Sequence, residues 1–262
     1  MTAGVSYAGH AVTHDYQIEA RLADLAVADH RSSGHIARNP SRHPVETLMF
    51  FGIKPDMTVV EISPGGSGWY TEILAPFLRD HGVYHVGSYD PQSEREYYRR
   101  NAVKYNNKLA EFPEIYDRVQ VGIFEPPGKT DTVAEGTADM VLTFRNSHNW
   151  LRAGVGQQSY DAFYRMLKPG GIFGVVQHRA RPGTDVDPAK GYITEEQIIS
   201  MAQKAGFSLQ ASSQVNANPM DTADHPEGVW TLPPSLRLKE VDREKYLAIG
   251  ESDRMTLKFI KD

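Results

Sequence analysis

The sequence predicts an α/β fold, with helices on both faces of a mostly parallel sheet of seven strands. Three observations lead to this prediction. Strand and helix patterns alternate from residue 58 to residue 206, a glycine-rich turn joins the first strand to the next helix, and the last two strands lack a clear helix between them. Alternating elements imply crossover connections, which make neighbouring strands parallel. The last two strands pair most simply as a hairpin, so we expect the final strand to be antiparallel.

The predicted strands are short apolar runs bounded by turn residues. They cover residues 58–63, 83–90, 118–124, 138–146, 172–178, 207–215 and 255–261. Apolar residues at helical spacing follow several of these runs, as in residues 70–78. Thr194 and Gln197 have the spacing of a capping box, and Gly206 stands where the helix that they begin should end.

The chain before the first strand has a different character. Helical patterns cover residues 16–29 and 44–51, whereas residues 1–14 are small and polar, and we expect them to be disordered. We therefore divide the chain into an N-terminal helical extension or lid, residues 1–52, and an α/β domain, residues 53–262.

Composition excludes some classes of protein. The absence of cysteine excludes disulfides, zinc–thiolate sites and cysteine nucleophiles. A net charge of −5 disfavours a nucleic-acid partner. No run approaches the roughly 20 apolar residues of a membrane helix, so we expect no membrane partner. No signal peptide is evident, and we expect a cytoplasmic protein unless the chain is the trimmed form of an exported precursor.

The glycine-rich turn, Ser63–Gly68, is the strongest indication of a ligand site. Its spacing is not the G-x-G-x-x-G of dinucleotide-binding proteins. Glu61 ends the strand before it and would repel a pyrophosphate, but it suits the ammonium and sulfonium groups of S-adenosylmethionine (SAM). Asp90 follows the second strand at the spacing of an acid that binds ribose hydroxyls. Alternatively, Asp90 opens a turn with Pro91.

Several motifs carry a family resemblance. VVEISPGGSG resembles motif I of the class I SAM-dependent methyltransferases, and FYRMLKPGGIFGVV resembles the helix, turn and fifth strand of that fold. FRNSHNWL, VVQHRA and GVWTLPP, together with residues 42–78, resemble a family of bacterial predicted methyltransferases without an assigned substrate. This narrower resemblance spans about residue 38 to the C-terminus. The resemblance implies a Rossmann-like class I methyltransferase fold with SAM as cofactor.

The resemblance also implies positions for cofactor residues. Around the turn they are Glu61, Ser63, Pro64, Gly65, Gly66 and Gly68. Ser63 and Ser67 stand where this family usually has glycine, so the turn is a variant of the motif. Tyr70 follows it, either near the methionine part of SAM or packed on the sheet.

Further candidates follow the next strands. Ile123, Phe124 and Glu125 end the third strand, where this fold usually holds adenine, and apolar contact from Ile123 or Phe124 is expected. After the fourth strand, Arg145 is a candidate for the SAM carboxylate, whereas Asn146 is a catalytic candidate.

Two histidines at strand ends are candidates for a general base. His148 and His178 follow adjacent strands of the predicted sheet, and histidine suits this role because its ordinary pKa lies near neutrality. The alternative for each is a packed, hydrogen-bonded core residue. They lie far apart in the sequence without the local spacing of metal ligands, so we expect no metal.

Two outlying segments complete the candidates. The resemblance suggests that Arg38, Arg42 and His43 cover the cofactor or substrate; the alternative is a solvated basic loop. Trp230 is either a lid aromatic or an anchor for its loop.

The expected function is methyl transfer from SAM to a small-molecule acceptor, in a monomer or a homodimer. A non-catalytic SAM-binding protein and, less favoured, a nucleotide-dependent oxidoreductase remain as alternatives. A nucleic-acid methyltransferase is disfavoured by the charge and by the lack of an N-P-P-Y type motif.

Overall fold

A single seven-stranded sheet forms the centre of the protein, in a computed structural model that describes residues 7–262. The strands are β1 (Thr58–Ile62), β2 (Val83–Ser88), β3 (Gln120–Ile123), β4 (Ala138–Phe144), β5 (Leu167–His178), β6 (Phe207–Ser213) and β7 (Arg254–Lys261). They lie in the order β3-β2-β1-β4-β5-β7-β6. β7 is antiparallel to both β5 and β6, and the other neighbouring pairs are parallel. The predicted fold class and the antiparallel last strand are confirmed.

Helices surround this sheet. They are α1 (Tyr7–Ala26), α2 (Ser33–Ile36), α3 (Asn39–Arg42), α4 (Pro44–Phe51), α5 (Thr71–Leu78), α6 (Glu96–Glu111), α7 (Pro113–Tyr116), α8 (Ser147–Arg152), α9 (Gly156–Met166), α10 (Glu195–Ala205) and α11 (Arg243–Ile249), with 3₁₀ turns at Pro188–Lys190 and Gly228–Thr231. The capping box of α10 and its left-handed C-cap at Gly206 are as predicted. The prediction that no helix separates the last two strands is wrong, because α11 lies between β6 and β7.

The N-terminal segment packs on the sheet. Leu22 of α1 and Phe51 of α4 are fully buried in one hydrophobic cluster with Val59 of β1 and Leu74 of α5. A second cluster, on β4, β5 and β7, contains residues of α9 and α10. Burial of these large side chains stabilises the attachment of the extension, since each contributes about 1.5–3 kcal/mol.

The prediction of disorder for residues 1–14 has two outcomes. Residues 1–6 lie outside the described residues. Residues 7–14 belong to α1, so the helix begins well before the predicted residue 16. Within residues 7–262, no helix has the length and apolar character needed to cross a membrane.

Candidate functional site

The parallel strands bring the predicted site residues to one edge of the sheet. β1 and β4 are neighbours, and the chain runs outward from them in opposite directions, to β2 on one side and β5 on the other. Ligands of such sheets bind outside the carboxyl ends of the strands at this switch point. The glycine turn follows Ile62, the last residue of β1. His148 lies shortly after Phe144, the last residue of β4, and His178 is the last residue of β5.

The glycine turn leaves one part of its backbone open to a ligand. Ser63, Gly65 and Gly68 have positive φ angles of 55°, 69° and 55°. A side chain at Gly65 would meet nothing within 4 Å, whereas one at Gly66 would lie 2.9 Å from Asn101 Oδ1. The backbone N–H of Gly66 donates to that oxygen over 3.2 Å, so α6 holds the far side of the turn. A ligand therefore has access to the backbone at Gly65.

Glu61 lies beneath this turn with 2% of its surface exposed. Tyr84 and Thr71 both donate to its Oε2, the latter over 3.2 Å. Burial raises the pKa of Glu61 to about 7, although both hydrogen bonds and the charge of Arg145 act in the opposite direction. Its charge therefore depends strongly on a neighbouring cation.

Asn146 ties the end of β4 to the glycine turn. Its Nδ2 donates to the carbonyl oxygens of Ile62 and Ser63 and to Thr143 Oγ1, each over 3.1 Å. Through these hydrogen bonds, the amide nitrogen fixes the glycine turn to the end of β4, which the sequence did not predict. The catalytic role of Asn146 stays a prediction.

Arg145 has an uncommon backbone conformation for its residue type, with φ at 65°. Its N–H donates to the Val176 carbonyl over 2.7 Å, which anchors it between β4 and β5. Among the described residues, no carboxylate pairs with its guanidinium. Burial and the nearby Arg254 lower its pKa to about 10. The side chain is thus available to an anionic group of a ligand.

Asp90 lies beyond the end of β2, and its carboxylate accepts hydrogen bonds from other residues. Its Oδ1 accepts from the N–H of Gln92 over 2.7 Å, as a turn-opening aspartate does, and Lys129 donates to its Oδ2. The Asp90 N–H donates to Glu125 Oε1 over 2.8 Å. The hydrogen bond from Lys129 lowers the pKa of Asp90. The turn role is therefore present in the structure, and the ribose role stays a prediction.

The two aromatic candidates are packed in the core. Tyr70 stacks on Phe144 with ring centroids 3.6 Å apart, and 2% of it is exposed. Phe124 is 1% exposed and packs edge-on against Trp150. Phe124 also lines a cavity of about 180 Å³ at the ends of β2 and β3. Other lining residues are Tyr89, Tyr98, Glu125, Pro126 and Pro127. This small compartment lies where the resemblance places adenine.

The two histidines lie together, which their positions in the sequence alone did not show. Their ring centroids are 5.7 Å apart. Gln177 Nε2 donates to His148 Nδ1 over 3.3 Å and to the Gly191 carbonyl over 2.9 Å. Because Nδ1 of His148 accepts a hydrogen bond, the proton of the neutral ring lies on Nε2. His148 therefore presents a donor to its surroundings.

His178 has different hydrogen-bond partners from those of His148. Its Nδ1 shares a hydrogen bond of 2.6 Å with Ser252 Oγ, and its Nε2 has no hydrogen-bond partner among the described residues. Burial lowers the pKa of both rings, to about 4 for His148 and well below the ordinary value for His178. For His178, a positive charge on His148, when that ring is protonated, and the charge of Arg254 act in the same direction. Both rings are neutral at pH 7.

Several residues at this edge were not predicted. They are Gln177, Glu251, Ser252 and Arg254. Because β7 is antiparallel, it begins beside the end of β5, and Arg254 pairs with His178 in the register. A polar run just before a predicted antiparallel last strand was the signal that could have identified three of them.

The N-terminal basic segment reaches the same edge. Arg42 is 4% exposed, and its guanidinium lies over the Trp69 ring, 4.7 Å from the centroid. Arg38 Nε donates to Glu251 over 2.5 Å. His43 has a φ of 40° between α3 and α4. The basic segment is therefore not a solvated loop.

Trp230, in a distant loop, contacts His148 edge-on, with 5.6 Å between the ring centroids.

In the part of the chain that the structure describes, no group of three or more histidine and acidic side chains could hold a metal ion.

No protein-family model and no curated protein matches this chain in sequence. A SAM-dependent methyltransferase from Aquifex aeolicus is similar in structure, with a TM-score of 0.53 at 16% identity over 76% of this chain and 93% of that one. A geranyl diphosphate C-methyltransferase from Streptomyces coelicolor A3(2), solved with S-adenosylhomocysteine, gives 0.57 at 14% identity over 90% and 87%.

A third similar structure is that of a protein with a different activity. The 4+2 cyclase SpnF gives a TM-score of 0.57 at 13% identity over 98% of this chain and 97% of that one. These similarities show that the chain has the fold of class I SAM-dependent methyltransferases. Fold alone does not establish the reaction.

Proposed function

We propose that this protein binds SAM and transfers its methyl group to a small-molecule acceptor. The main support is the geometry at the end of β1, where an accessible turn at Gly65 lies beside the buried carboxyl group of Glu61 and the guanidinium of Arg145, which pairs with no carboxylate of the described residues. Methyltransferases of the same fold, one of them solved with S-adenosylhomocysteine, are additional support.

The residues at this edge fit the charged groups of SAM. Glu61 would face the ammonium group, because a cation offsets the cost of ionising this buried carboxyl group. Arg145 would hold the carboxylate, with which guanidinium forms paired hydrogen bonds. Asp90 and Glu125 are the acids that would bind the ribose, which would share them with their present donors Gln92, Lys129 and Ser93. When bound, SAM supplies a methyl group on a positively charged sulfur, which keeps the electron pair as the methyl carbon bonds to the acceptor.

His178 is better suited than His148 to accept the acceptor's proton. Nε2 of His178 has no partner among residues 7–262, and Ser252 at Nδ1 orients the ring. Nδ1 of His148 is already occupied by Gln177, so this ring donates through Nε2 and would orient the acceptor. We therefore assign the base role to His178 and a positioning role to His148.

A non-catalytic or differently catalytic SAM-binding protein is the second candidate. The specific observation in its favour is the similarity to SpnF, a cyclase with this fold. Binding of SAM without methyl transfer would support this candidate.

The experiment has two stages. SAM and S-adenosylhomocysteine at a hundred times their dissociation constants should stabilise the protein by about 2.7 kcal/mol, and NAD should not. For a chain of this length the melting temperature should rise by roughly 5 °C. Absence of a shift with both SAM ligands would contradict the cofactor assignment.

The second stage measures transfer of labelled methyl groups to phenols, amines, thiols and carboxylates. With an identified acceptor, His178→Gln should lower kcat at least a hundredfold without changing SAM binding. His81→Gln, at an exposed histidine, is the matched control. Equal activity of His178→Gln and the control would remove His178 from the mechanism.

A further inference from the structure

An arginine cluster, consisting of Arg38, Arg42, Arg145 and Arg254, lies at the site edge. Among the described residues, the only carboxylate paired with its members is that of Glu251. Glu251 accepts hydrogen bonds from Arg38, over 2.5 Å, and from Arg254, and its Oε2 lies 3.6 Å from Arg42 Nε. Three of the four guanidinium groups therefore share one carboxylate at contact distance, and among the described residues Arg145 pairs with no carboxylate.

Burial makes this imbalance costly. Arg42 and Arg254 are 4% and 2% exposed, and the Nε atoms of both are buried with no hydrogen-bond partner in the described part of the chain. Burial and repulsion from Arg145 and Arg38 hold the pKa of Arg42 well below its ordinary value. A buried charge without a counter-charge costs several kcal/mol, so the cluster favours an additional anion.

Three segments of the chain place arginines of the cluster near His178. Arg254 begins β7 opposite His178 and donates from Nη1 to the Ser41 carbonyl over 2.8 Å. Arg42 ends α3, and Arg145 follows β4 in a left-handed conformation. The charges of all three lower the pKa of His178, which is consistent with their lying close to its ring.

SAM does not supply the missing negative charge. It has one carboxylate, which Arg145 can bind, and two positive charges, on its ammonium and sulfonium groups. The remaining positive charge of the cluster would then repel the cofactor's cationic part. A second anion, held next to His178, would resolve this conflict.

We propose that the methyl acceptor carries an anionic oxygen group, a carboxylate or a phosphate, that binds Arg42 and Arg254 beside His178. This inference rests on the proposed methyl transfer. Guanidinium groups with free N–H donors bind both kinds of anion by charge-assisted hydrogen bonds.

The same anion would make His178 a stronger base. The charges of Arg254, Arg145 and Arg42 lower the pKa of His178, and an anion bound to the cluster would offset them. The ring would thus accept a proton more readily when the acceptor is present. A neutral acceptor would lack this effect.

The test uses benzoate and phenyl phosphate as anionic probes and benzamide as a neutral probe of similar shape. Calorimetry at constant ionic strength should show at least tenfold tighter binding of one or both anions than of benzamide. The tighter of the two identifies carboxylate or phosphate as the preferred group. Equal binding of all three probes, or binding of none, would overturn the inference.

Variants then locate the anion site. Arg42→Met should weaken binding of the preferred anion at least tenfold, and Arg100→Met, at an exposed arginine, should leave it unchanged. If Arg42→Met does not fold, Arg42→Lys keeps the charge but lacks the Nε–H donor, and should also weaken binding. Anion binding by a folded Arg42 variant equal to that of the wild type would contradict the site.

The SAM melting shift distinguishes the two proposals. A normal SAM shift without anion preference would overturn only the acceptor class. Anion binding that depends on Arg42, without any SAM shift, would leave the anion site standing and overturn the proposed function.

Discussion

Replacement of Glu251 by glutamine tests whether this one carboxylate holds the arginine cluster together. The amide keeps the shape of the side chain but removes its charge. It also turns a hydrogen-bond donor toward the guanidinium groups of Arg38, Arg254 or Arg42, which have only donors themselves. We expect a large loss of stability, because the buried positive charges lose their counter-charge.

The magnitude follows from the pKa of Glu251. Burial raises this pKa, but the hydrogen bond from Arg38 and the charges of Arg254 and Arg42 outweigh burial and lower it to about 2, from an ordinary value of 4.5. At ~1.4 kcal/mol for each pH unit, the ionised carboxylate contributes about 3 kcal/mol to folding. Its side chain is 7% exposed, so solvent screens this contribution only weakly.

The pH window follows from the sign of this change. The pKa of the folded state lies below that of the unfolded state, so the contribution is present above about pH 4.5 and is lost as the pH falls toward 2. The free-energy difference between wild type and Glu251→Gln should therefore be about 3 kcal/mol at pH 7. It should shrink progressively below pH 4.5.

Urea unfolding followed by tryptophan fluorescence at pH 7, and at steps down to pH 2.5, measures this difference. At pH 7 the melting temperature of the variant should be about 5 °C lower. Glu46→Gln, at an exposed glutamate near the start of α4, is the matched control and should change stability by less than about 0.5 kcal/mol. Equal stability of Glu251→Gln and wild type at pH 7, or a difference that does not depend on pH, would refute this reasoning.

Two further predictions concern the cofactor residues. SAM should bind more tightly as the pH rises from 6 to 8, because the pKa of Glu61 is about 7 and its ionised form attracts the ammonium group. Calorimetry on Glu61→Gln should show a weaker pH dependence of SAM binding. An unchanged pH dependence in this variant would assign the effect to another group. Asp90→Ala should weaken SAM binding at least tenfold, whereas Lys129→Ala, which removes the partner of Asp90, should not weaken it. Unchanged SAM binding in Asp90→Ala would leave Asp90 with its turn role alone.

The regular elements were predictable because their apolar periodicity is local. The bounds of α4 are as predicted, and those of β1 and α5 differ by one residue at one end. The sequence did not predict helices of four to seven residues, such as α3, α8 and α11. Segments this short span too few turns to show a helical period.

The site was only partly predictable, for a different reason. Residues at the ends of parallel strands meet at one edge whatever their separation in the chain, so Glu61, Arg145, His148 and His178 followed from the strand pattern. The partners of these residues did not. Lys129 is 39 residues from Asp90, and Ser252 is 74 residues from His178. No local pattern specifies such pairs.

The sequence by itself thus determined the fold class, the glycine turn and the edge at which the site lies, because hydrophobic periodicity and turn chemistry act over a few residues. The tertiary structure alone decided which charges meet. Insertion of β7 between β5 and β6 places Arg254 beside His178, and packing of the N-terminal helices adds Arg38 and Arg42. The arginine cluster arises from long-range packing, since its members come from three distant parts of the chain.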